Sequence, residues 1–186
     1  MANERKIGEA EGADPEVYEA LFEFICEETK GNFLREGECG PSLIVLTKLG
    51  LTSISLEGVD PSFDRTLLAK GIGDDIRSVA INVEGKLTYD KPMAVILASE
   101  AWVVDYDKNE YPEMSKLPPR LHPKRKEILQ VMLRTPDLSF CRNWPIENDQ
   151  GIRRLGDEQN LPTDEMISPW VAILTDNGDF QIPNPI

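Results

Sequence analysis

The chain has 186 residues, 40% hydrophobic and 28% charged, which suits one domain with its own core and is short for two. Its 33 acidic and 20 basic residues give a formal charge of −13, which disfavours direct nucleic-acid binding and points to a protein with a cationic surface as partner. Cys26, Cys39 and Cys141 have no CxxC spacing, so neither a disulfide framework nor a zinc ribbon is written here. The opening residues lack the apolar centre of a secretory signal, and no apolar run nears the roughly 20 residues of a membrane span. The expectation is a cytoplasmic protein with no membrane contact, metal or cofactor.

Residues 1–13 are polar and rich in Gly and Glu, and read as a flexible tail ahead of a single domain over 14–186. Asp14 and Pro15 predict a helix start, and Gly31 its end. Val17, Leu21, Phe24 and Ile25 fall at helical spacing and predict the core-facing stripe. Glu16, Glu19, Glu23 and Glu27 gather on another side as an acidic ridge, either a solvated face or a docking surface.

Residues 42–47 read as a buried strand and 51–56 as a second, with Gly50 near the turn between them. Asp60-Pro61 repeats the helix-start signal. Leu68, Ile72, Ile76, Val79 and Val83 then keep a helical period, with a kink or break admitted at Gly71 and Gly73. Strands are expected over 93–104, 127–134, 138–146 and 170–175. The last runs into Asn177-Gly178, a hairpin turn with 180–182 as the return strand. The polar stretches 105–120 and 147–168 read as loops. The order predicts an α+β fold in which an N-terminal helix and a second helix pack on a mostly antiparallel sheet.

Basic residues concentrate at Lys116, Arg120, Lys124, Arg125, Lys126, Arg134 and Arg142, with only Glu127 and Asp137 among them. This island either pairs with neighbouring acids, or binds an anion, or complements the acidic ridge of another copy in a homo-oligomer.

Glu100 shares a strand face with Ile96, Ala98 and Trp102, and a carboxylate among apolar neighbours is a candidate acid or base. The alternative is that Arg125 or Arg134 pairs with it. His122 is the single histidine; it cannot supply a multi-histidine metal site, but with Glu100 and Arg125 it makes the one catalytic set worth naming. Asp105, Asp107 and Asn109 imitate an EF-hand loop that then fails at Glu110 and Lys116. Gly71-Ile72-Gly73 lacks the rest of a nucleotide-binding fingerprint.

An apolar strand ending in Glu100-Ala101-Trp102, a proline-containing loop, and His122-Pro123-Lys124-Arg125-Lys126-Glu127 leading into another strand together resemble a group of bacterial and phage proteins of unknown function. The resemblance spans about a quarter of the chain. It implies a phage or mobile-element origin and brings no catalytic residues.

Two functions follow as expectations. The first is a non-enzymatic acidic interaction protein, an accessory or inhibitor factor that binds a cationic protein surface through the ridge. The alternative is a small hydrolase that uses Glu100 and His122 in a cleft.

Overall fold

The computed structural model describes residues 14–59, 65–83, 86–104, 121–159 and 169–174. Helix α1 runs Pro15–Glu36. Its start is the one the sequence predicts: Asp14 Oδ1 accepts a hydrogen bond from Glu16 N at 3.1 Å, with Pro15 in the first turn. Its end is five residues beyond the expected Gly31. Gly37 caps it in the left-handed conformation (φ 78°), donating its N–H to Phe33 O at 2.8 Å. A helical glycine costs about 1 kcal/mol, less than the roughly 1.5–3 kcal/mol gained by burying Phe33 in the following turn.

The helix is also rotated from the expected stripe. Tyr18, Phe22, Ile25, Cys26, Thr29 and Phe33 face the core, Leu21 is half-buried, and Val17 and Phe24 point outward. This rotation buries three aromatic rings where the expected one buries one, and aromatic burial dominates core energetics.

The strands are β1 Ser42–Thr47, β2 Gly50–Ser55, β3 Ala80–Val83, β4 Lys86–Tyr89, β5 Pro92–Val104, β6 Arg125–Arg134, β7 Ser139–Asp149 and β8 Ile152–Leu155. Six form one sheet in the order β2-β1-β5-β6-β7-β8, with every neighbouring pair antiparallel, while β3 and β4 form a separate ribbon. Two helices on an antiparallel sheet make the α+β architecture expected. α1 covers Ala94, Ile96, Ala98, Leu129, Val131, Leu133 and Trp144 on one face. Helix α2, Arg65–Ser78, and a 3-10 helix, Pro169–Ile173, cover Leu43, Val45, Val95 and Leu97 on the other. The centre of the sheet is thus buried on both sides, which explains the unbroken apolar run of β5. Asp90 ties the β1–β2 turn to the start of β5: its Oδ1 accepts from Lys48 N at 3.1 Å and Lys91 N at 2.9 Å.

Three expected elements change. The second helix stops at Ser78, and the β-branched Ile81 and Val83 enter β3 instead. The segment at Trp170 is 3-10 helix, not strand. Trp170, Ala172, Ile173 and Leu174 are all buried, and a continuous apolar run does not separate the two by periodicity. The stretch from 147 is not all loop: β7 continues to Asp149, and Gln150 (φ 52°) and Gly151 (φ 88°) make a two-residue turn into β8. Asp60-Pro61, the 105–120 loop and the Asn177-Gly178 hairpin lie outside the described residues.

α2 passes unbroken through both of its glycines, and they differ in kind. A Cβ on Gly71 would meet nothing within 4 Å, whereas one on Gly73 would fall 2.9 Å from Ile173 O and 3.1 Å from Ile173 Cα. The close approach also lets Arg77 Nη1 donate to Ile173 O at 2.9 Å. Gly71→Ala should therefore stabilise the protein by about 0.5–1 kcal/mol, and Gly73→Ala destabilise it by about 1–3 kcal/mol. Urea denaturation of both variants checks the pair, and equal shifts would contradict this packing.

Candidate functional site

Glu100 lies on β5 opposite Leu129, on the face that α1 covers. Its Oε1 accepts from Cys39 N at 2.7 Å and from Arg153 Nη1 at 3.1 Å, and its Oε2 from Arg153 Nη2 at 2.7 Å. Arg153 also reaches Glu127 Oε1 at 3.0 Å and donates to Gly37 O at 2.8 Å, with its guanidinium 5.3 Å from the Phe33 ring centroid. One planar fork thus joins β5, β6, β8 and the end of α1, a task suited to arginine and not to lysine. The guanidinium also sits where the helix leaves unsatisfied carbonyls and partial negative charge. The Glu100 hydrogen bond above all, with the charges of Glu100 and Glu127, raises the Arg153 pKa against the opposing effect of burial.

The partner of Glu100 is therefore Arg153, not Arg125 or Arg134. Arg134 stands opposite Val95 on the other side of the sheet. Arg125 stands opposite Val104, further along β5, and stacks 5.1 Å over the half-exposed Trp102. His122 is buried just ahead of β6, where its Nδ1 accepts from Lys124 N at 3.1 Å and shapes the turn into the strand. Glu100 makes no hydrogen bond or ion pair with His122 or Arg125 among the described residues. Both of its oxygens already accept from Cys39 and Arg153, so this is the geometry of a structural tie.

The basic island is not a single patch. Lys116 and Arg120 lie outside the described residues. Lys124, Arg125 and Lys126 are exposed at the head of β6. Arg125, Lys126 and Trp102 line one side of an open groove of about 530 Å³, with Pro145, Ile146 and Glu147 opposite. Arg142 is turned inward onto α1, where it forms a two-pronged ion pair with Glu23, Nη1 to Oε2 at 2.6 Å, and reaches Glu158 at 3.2 Å.

That pair divides the acidic ridge. Glu23 is half-buried against Arg142, and Glu27 pairs with Lys30 at 2.9 Å. Glu16 and Glu19 are exposed without an ion-pair partner among the described residues, and so is Glu28. Between them stand Val17, 53% exposed, and Phe24, 58% exposed, with Leu34, 66% exposed, further along. The outer face of α1 is thus apolar as well as acidic, which the expected rotation of the helix concealed.

Burial raises all three cysteine thiols, Cys26 to about 12, where the charge of Arg142 offsets only part of the desolvation. A protonated buried thiol is a small apolar side chain, not a nucleophile. Among the described residues no group of three His, Cys, Asp or Glu side chains is placed to hold a metal ion. The EF-hand-like stretch lies outside them.

Comparison with protein-family models, curated proteins and solved structures found no match to this chain. Function is therefore read from its own residues.

Arg153→Met should destabilise the protein by about 1–3 kcal/mol, because it leaves two carboxylates and a helix-end carbonyl without their donor. Combined with Glu100→Gln, the two changes should be less than additive by at least about 0.5 kcal/mol in a double-mutant cycle; full additivity would mean the contact is not energetic. For Cys26 the pH dependence has a definite sign. Above the ordinary thiol value of 9.0 the unfolded chain ionises, whereas the folded chain stays protonated to about 12. The unfolded state then holds fewer protons, so the stability contributed by Cys26 declines as pH rises through that window. The stability advantage of the wild type over Cys26→Ala should stay level below pH 9 and shrink above it. A gap constant with pH would show that the thiol ionises alike in both states.

Proposed function

We propose that this protein is a non-enzymatic interaction protein that docks a cationic protein surface onto the outer face of α1. The observation that carries the reading is the exposure of Val17, Phe24 and Leu34 on the helix that also carries Glu16, Glu19 and Glu28, acids without an ion-pair partner among the described residues. Val17 and Phe24, seven residues apart on one side of the helix and flanked by Glu16, Glu19 and Glu28, suit an apolar groove with basic walls. The acids steer the approach, and the apolar side chains supply the affinity that survives desolvation. Burial in α1 is already complete without these residues, so the fold itself gives no reason for a phenylalanine at position 24. Such a protein acts by occupying its partner, as an accessory or inhibitor factor does. The partial resemblance to phage proteins suits that role.

The test compares the full chain with two kinds of variant as bait, followed by mass spectrometry and equilibrium binding to the captured protein. Phe24→Ser should leave the fold at least as stable and weaken binding by about 2 kcal/mol, mostly through faster dissociation. Glu19→Lys with Glu28→Lys should slow association and flatten the salt dependence. Glu23→Lys should behave differently and lower stability, because it sets a cation against Arg142. A partner that binds the Phe24 and Glu19/Glu28 variants as it binds the wild type would place the interface elsewhere.

A further inference from the structure

The two edges of the six-stranded sheet are treated in opposite ways. The β8 edge is four residues long and carries Arg153 and the exposed Arg154, and Gln159 bridges to Asn143 beside it. Short length and charge are the usual protection of an edge strand. The other edge, β2, is six residues long and among the described residues pairs only with β1. From Leu49 to Leu56 the sequence reads Leu-Gly-Leu-Thr-Ser-Ile-Ser-Leu, with no charged residue and no proline, in a chain that is 28% charged. Leu51 is 49% exposed, and Thr52, Ser53 and Ser55 are exposed with it. Alternate residues of such a strand direct their N–H and C=O groups away from the sheet, a row of donors and acceptors ready for another strand.

We infer that β2 pairs antiparallel with β2 of a second copy of this chain, about a two-fold axis normal to the sheet, to give one continuous twelve-stranded sheet. The occupant is identified by charge. The uncharged stretch is bounded by the exposed Lys48 at one end and the exposed Glu57 at the other. Antiparallel self-pairing brings the Lys48 end of each copy to the Glu57 end of the other, so two complementary pairs close the seam. This is the self-complementary contact that two-fold symmetry requires. Side-chain alternation agrees. Leu51, Ser53 and Ser55 lie on one face, opposite Leu46, Ile44 and Ser42, so pairing centred on Ser53 sets Leu51 of one copy across from Ser55 of the other. Between those pairs the seam holds no acid from Leu49 to Leu56, which matters for two chains of charge −13 each. The surface is separate from the outer face of α1, and the inference does not depend on the proposed function.

Sedimentation equilibrium of the full chain across a concentration series tests it. The wild type should show a monomer–dimer equilibrium. Leu51→Lys with Ser53→Lys should be monomeric while keeping the wild-type circular dichroism, since both side chains are already at the surface. Lys48→Glu alone and Glu57→Lys alone should each raise the dimer Kd about five-fold, and the two together should restore it. A chain that sediments as a monomer at every concentration up to its solubility limit overturns the inference. So does a dimer that tolerates the Leu51 and Ser53 lysines, or one that the Lys48/Glu57 exchange does not restore.

Discussion

The guanidinium of Arg153 is the contact that ties the end of α1 to the sheet. It joins Glu100 of β5, Glu127 of β6 and the carbonyl of Gly37, the cap of α1, with Phe33 packed beneath it. The Arg153, Glu100 and Glu127 side chains are each about three-quarters buried, so the attraction is screened less than at an open surface, and the carboxylates satisfy a charge that would otherwise be costly to bury. The contact holds the end of α1 to the sheet, while burial of Tyr18, Phe22 and Phe33 sets the rotation of the helix. The rotation decides which residues reach solvent.

Arg142 does for the middle of α1 what Arg153 does for its end. Together they draw Glu23, Glu100, Glu127 and Glu158 into ion pairs across segments distant in sequence. The acids of α1 without an ion pair among the described residues are Glu16, Glu19, Glu28 and Glu36, and the first three flank Val17 and Phe24. The acids among the described residues therefore divide into those held in ion pairs across the fold and those exposed on the outer face of α1. Arg125 and Lys126, by contrast, line the open groove at Trp102.

Much of the fold was legible in the sequence because apolar runs survive any rotation or register. β1 stands at its expected bounds, and β5, β6 and β7 within a few residues, as does the start of α1 at Asp14 and Pro15. What was not legible depended on choosing between patterns of equal spacing. Val17-Leu21-Phe24 and Tyr18-Phe22-Ile25 are both helical stripes, and only the sheet beneath decides which is buried. The partner of Glu100 was hidden for a related reason. Arg153 lies in a polar stretch whose turn, Gln150-Gly151, lacks the usual Asn or Asp ahead of the glycine, so β8 gave no strand signal. The uncharged sequence of β2 was visible from the start, but that it forms an unprotected edge follows only from the strand order.

Native-state hydrogen exchange on the wild type and Arg153→Met tests most directly whether Arg153 holds α1 in place. The Cys39 amide, which donates to Glu100, and the Gly37 amide at the helix cap report on the contact, while α2 on the far face serves as the reference. The account predicts that Cys39, Gly37 and the last turn of α1 lose protection in the variant well beyond any loss in α2. Equal loss in both helices, or unchanged protection at Cys39, would show that the end of α1 is held by other contacts.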